Sequence, residues 1–196
     1  MKKIEIIWRE LLYQVIDKGH RQFTQKDLAA KFTCSTSTVF QALRPLREMG
    51  AVRVTGRNFI LEDPEKLLYH WASVRRLSSD ILFKGHLDLP IKEIEGFAPP
   101  GVIFGGYTAA CRFLSEAPAD YDKVYLYAQD LNEVFKRYKT VGGRPNLLIL
   151  KADDFLAGYG ESTTISQTFV DIWNFEDWYA KEFTVALKRR IDEFLP

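Results

Sequence analysis

The chain has 196 residues, 46% hydrophobic and 27% charged, the proportions of a soluble globular protein of one or two domains. Glu5, Arg9 and Glu10 interrupt the apolar residues behind Met-Lys-Lys, which argues against a signal peptide or a membrane-crossing segment there. The net charge of +1 hides a division, since residues 1–76 hold 14 Lys and Arg against 8 Asp and Glu, while residues 77–196 hold 13 against 18.

A basic part followed by an acidic part predicts that only the first meets a polyanion. Two distant cysteines, Cys34 and Cys111, fit a reduced cytoplasmic protein with inert thiols.

Ile4, Ile7, Trp8, Leu11, Leu12, Val15 and Ile16 repeat at helical spacing and predict an opening helix, with Glu5, Arg9, Glu10 and Gln14 off its apolar stripe. Gly19 ends it. Thr24 with Asp27 resembles a capping box and opens a short second helix that buries Leu28, Ala29 and Phe32. Thr33 and Cys34 make a turn, and Ser35 or Thr36 caps a third helix. Val39, Leu43, Leu46 and Met49 are its core positions, with Pro45 expected to kink it or be carried through. Phe40 sits beside the solvent face and is expected to fill a groove. Gly50 stops the helix. AVRV and FILE then flank TGRN, a hairpin with its tip at Gly56. Asp63-Pro64 opens a fourth helix, EKLLYHWASVRRL.

This order over residues 24–61 resembles the helix-turn-helix and wing of winged-helix DNA-binding domains. Short hydroxyls at a helix N-terminus suit close approach to phosphate, and longer donors behind them reach base edges. The candidate DNA contacts are therefore Thr36, Ser37, Thr38, Gln41, Arg44 and Arg47 on the third helix, Arg53 and Arg57 on the hairpin, and Lys26.

From about residue 80 the pattern becomes DILFKG (strand), PIKEIEGF (helix), PPGVIF (strand), GGYTAACRFL (helix), KVYLYA (strand), DLNEVFKRYK (helix capped by Asp130) and PNLLILK (buried strand). A last helix runs from about Asp177 to Phe194, with Tyr179, Phe183, Leu187, Ile191 and Phe194 on one face. Alternating strands and helices predict an α/β domain with its own core. Tyr69, Trp71, Trp173, Trp178 and Tyr179 are expected in the core or between domains.

Gly105-Gly106 between a strand and a helix suits either an anion-binding turn or close helix–sheet packing. With Asp120-Tyr121-Asp122 thirteen residues later, it also loosely matches the glycine pair and paired carboxylates of polymerase-beta-type nucleotidyltransferases, where two acids hold magnesium. Lys123 stands where an apolar residue belongs, and only Asp171 offers a third carboxylate, so the expectation is at most a degenerate transferase fold. His20, His70 and His86 lack metal-ligand spacing. No catalytic, metal or cofactor set is expected.

The N-terminal unit, GGYTAACRFL, VYLYA, and SQTFVDIWN followed by KEFTVALKRRI resemble the AbiEi-type antitoxin and transcriptional-regulator family of type IV toxin–antitoxin systems. The resemblance implies a two-domain α+β or α/β chain: a winged helix at 1–76 and an α/β regulatory or partner-binding domain at 77–196. It implies an autorepressor that binds double-stranded operator DNA, a cognate nucleotidyltransferase toxin as partner, and no membrane; a homodimer is compatible with it. The alternatives are a nucleotidyltransferase with a targeting domain and a repressor whose GGYTA loop senses a ligand.

Overall fold

The local stop and start signals recur as element boundaries in the computed structural model, which describes residues 1–195. The described residues form nine α-helices and two small sheets, a mixed α/β arrangement. They divide into two compact units: Met1–Arg75 with the residues from Ile191 onward, and Arg76–Arg190.

In the first unit α1 (Lys3–Lys18) ends at Gly19, whose φ of 67° lets the His20 N–H reach back to the Gln14 carbonyl at 2.8 Å. α2 (Gln25–Lys31) is capped by Thr24, whose hydroxyl accepts from Asp27 N. α3 (Thr36–Glu48) is capped by Ser35 and runs through Pro45 unbroken. The Trp8 indole donates to the Ala42 carbonyl at 2.8 Å, fastening α1 to α3 beside the proline turn. Val39, Ala42, Leu43 and Leu46 are buried, whereas Met49 is only half-buried.

β2 (Val52–Thr55) and β3 (Asn58–Leu61) form the expected hairpin, with Thr55 opposite Asn58 and Gly56 at φ 60°. A two-residue loop with glycine first suits the twist of the strands. A third strand, β1 (Gln22–Thr24), pairs with β3 and completes a sheet of order β1-β3-β2, antiparallel throughout. Its three residues are too few to show a period in the sequence, but Phe23 is buried and stacks on Phe59. α4 (Pro64–Val74) starts at the Asp63 cap and buries Leu67, Leu68, Trp71 and Ala72.

One sequence expectation fails here for a clear reason. Glu5, Arg9 and Glu10 are buried rather than off the apolar face. Glu5 meets Arg75 Nη1 and the Trp71 indole, each at 3.2 Å, and Glu10 meets Lys31 and Gln14. Paired charges can be buried where lone ones cannot.

The second unit holds a sheet of order β4 (Ile81–Gly85), β7 (Leu147–Lys151), β6 (Val124–Ala128), β5 (Ile103–Gly105). β6 and β7 are parallel, joined through α7 (Asn132–Arg137), and both outer pairings are antiparallel. Alternation along β6 sends Val124, Leu126 and Ala128 to a core with Ile94 of α5 (Ile91–Gly96) and Val134 of α7. Tyr125 and Tyr127 point the other way, toward α6 (Gly106–Phe113) and α8 (Ile165–Trp173). α9 (Ala180–Asp192) begins three residues later than expected and buries Phe183 and Leu187; its Ile191, which counts with the first unit, is buried too, and Phe194 is exposed. Asp130 does not sit at the N-cap of α7 but accepts from Asn132 N at 2.9 Å. Trp71 and Tyr179 are core residues, but Tyr69, Trp173 and Trp178 are surface residues, Trp178 being 83% exposed.

Candidate nucleic-acid interface

Four buried residues fix which way α3 turns, and so which side chains it shows to solvent. With Val39, Ala42, Leu43 and Leu46 inward, Ser37, Gln41, Arg44 and Glu48 form an outward row at i, i+4, i+7 and i+11. All four are exposed, as is Thr36. Thr38 is half-buried on the flank, its hydroxyl 3.0 Å from Ser35 Oγ and its N–H 3.1 Å from that oxygen. It builds the cap more than it faces outward. The first turn of α3 carries no acid, so the positive end of the helix dipole is uncompensated there.

The cations have different surroundings. Arg44 pairs with Glu48 at 3.0 Å, and Arg53 pairs with Glu62. Both pairs are exposed, and such pairs are worth about 0–1 kcal/mol, so either one opens at little cost. Arg57 at the hairpin tip and Lys26 on α2 are exposed. The Arg47 guanidinium lies over the Phe40 ring, 5.0 Å from its centroid. Phe40 fills no groove; it is 44% exposed. Residues 24–61 hold six Lys and Arg against two Asp and Glu, so this surface has a local positive surplus despite the two exposed ion pairs. Sequence spacing alone reveals the Arg44–Glu48 partnership. That of Arg53 with Glu62 follows only from the hairpin register.

In the second unit the two glycines are taken up by packing. A Cβ on Gly105 would stand 2.8 Å from the Tyr127 ring, and one on Gly106 would stand 2.8 Å from Tyr125 and 3.1 Å from Phe175. Gly106 also has a φ of 53°. Of the three carboxylates that resemble metal ligands, Asp120 is exposed and the other two are engaged by tyrosines. Asp122 accepts from the Tyr179 hydroxyl, and buried Asp171 accepts from Tyr127. Lys123 pairs with buried Asp177, which also accepts from Tyr107 at 2.9 Å and Tyr125 at 3.3 Å. Burial, then the neighbouring carboxylates, push the Tyr107 and Tyr125 hydroxyls well above the ordinary tyrosine range. Among the described residues no group of three or more His, Cys, Asp or Glu is placed to hold a metal ion, and no helix is long and apolar enough to cross a membrane. Cys34 and Cys111 are free thiols.

No family model matches this chain, and no curated protein or solved structure matches it either.

Proposed function

We propose that the Met1–Arg75 unit is a winged helix that binds double-stranded DNA through α3 and the β2–β3 hairpin, and that the chain is a transcriptional regulator, an AbiEi-type antitoxin-like autorepressor of its own operator. The observation that carries this reading is the outward face of α3. Exposed hydroxyls stand at its acid-free N-terminus, with exposed Gln41 and Arg44 behind them. That is the order in which phosphate and then base edges are met in a major groove.

Two further features support it. The order α1-β1-α2-α3-β2-β3, with β3 between β1 and β2, has the wing following the second helix of the turn. The tip of that wing carries Arg57, free to reach a phosphate beside the groove that α3 would enter. The second unit, with the acidic surplus of residues 77–196, is suited to a protein partner: the cognate toxin or a second copy of the chain.

A gel shift on the chain's own promoter, against unrelated duplex at rising salt, tests the DNA half of the reading. Retarded promoter that survives competitor is expected; no retardation even at low salt overturns it. The antitoxin half is tested by the gene beside this one: a nucleotidyltransferase-type gene there, whose growth arrest this chain relieves on co-expression, is the expected result, and its absence overturns that half.

A further inference from the structure

The outward side of α3 carries one large apolar group among its polar ones. Phe40 is 44% exposed, one turn beyond Thr36 and Ser37 and next to Gln41. Leaving that much ring in water forgoes the burial that an aromatic normally gains. The ring is nonetheless held. The Arg47 guanidinium lies over it at 5.0 Å, and Arg47 Nε, shut off from solvent, meets no hydrogen-bond acceptor. Arg44 and Arg53 are turned to carboxylates, whereas Arg47 is turned to the ring. One side of Phe40 is thus braced, and the remainder faces outward with Ser37, Gln41 and Arg44.

The base edges of the major groove also carry one apolar group among donors and acceptors, the 5-methyl of thymine, and apolar side chains including phenylalanine read it by contact. We infer that Phe40 is a specificity-determining residue that reads a thymine 5-methyl in the major groove, with Arg47 as the positioning residue that holds the ring. The inference rests on the DNA-binding reading above and adds to it a chemical feature of the site: a required methyl beside the bases that Gln41 and Arg44 meet.

The test uses the full chain. Bound duplexes are selected from a random library, and each thymine of the selected site is replaced in turn by deoxyuridine, which removes the methyl and nothing else. At one thymine of the selected site the wild-type chain should lose about four-fold in affinity, the ordinary worth of one buried methyl. Phe40→Ala should bind the thymine and uracil duplexes equally, and Arg47→Ala should shrink the difference between them. Because the first comparison uses unaltered protein, it does not depend on how a variant folds. A selected site that tolerates uracil at every thymine overturns the inference and leaves DNA binding standing. So does an undiminished uracil penalty in Phe40→Ala. A library that yields no bound duplex overturns both.

Discussion

Arg44 and Arg57 are both exposed arginines, and the proposed DNA contact gives them different work. Arg44 lies on the outward row of α3, whereas Arg57 lies at the hairpin tip. Arg44→Ala should cost about 1–3 kcal/mol on the specific site and relax preference at one base pair. Arg57→Ala should weaken binding on every sequence alike and lower the slope of log affinity against log salt by about one. Competition gel shifts at several salt concentrations separate the two, and a uniform loss for both would place Arg44 on phosphate instead. Inside the unit, Glu5 and Arg75 form an ion pair with side chains 4% and 1% exposed. Glu5→Gln takes the Glu5 charge away from a buried guanidinium and should cost about 3–5 kcal/mol in urea unfolding. Glu5→Leu together with Arg75→Met should recover part of this. The rest persists because the Trp71 indole loses its acceptor, a loss of about 1–3 kcal/mol.

At the scale of elements, the turns differ in how much room they leave. Gly56 and Gly106 both have positive φ, but a Cβ on Gly56 meets nothing within 4 Å, whereas one on Gly106 runs into the Tyr125 ring. Gly56→Ala should therefore cost only the backbone strain of about 1–2 kcal/mol. Gly106→Ala adds overpacking and should reach about 2–5 kcal/mol. Thermal unfolding of the two variants checks the order. Elements of this kind are legible from sequence because their signals are local: Ser35, Asp63, Gly19 and Gly50 mark helix ends, and Gly56 marks the hairpin. What lay beyond reach depends on distant partners. The burial of Glu5 is decided by Arg75, seventy residues on, and β1 is a strand only because β3 lies beside it. The candidate site divides the same way. The polar row of α3 follows from helical period, while the bracing of Phe40 and the engagement of Arg53 by Glu62 arise only once the chain is folded.

At the scale of the molecule, the first unit is not one continuous stretch of chain, because it includes the residues from Ile191. Ile191 is fully buried. Ile191→Ala should destabilise that unit by about 2–5 kcal/mol, and DNA binding should fail at a lower temperature than in the unaltered chain. Unchanged stability would show that the residues from Ile191 contribute little there. The second unit has a consequence in alkaline solution. Tyr107, Tyr121, Tyr125, Tyr138 and Tyr179 are all held above the ordinary tyrosine range by burial, and Tyr138 is pushed up to about 12. An unfolded chain would release these protons near pH 10, while the folded one keeps them, so stability present below pH 10 drains away as base is added. Of the phenolate absorbance near 295 nm from the nine tyrosines, the share of these five should then rise late and steeply, in step with the loss of helical circular dichroism, and ionisation of all nine around pH 10 in the folded protein would contradict it. The ring-and-carboxylate packing around Asp177 makes this unit a proton store that strong base can open only by unfolding it.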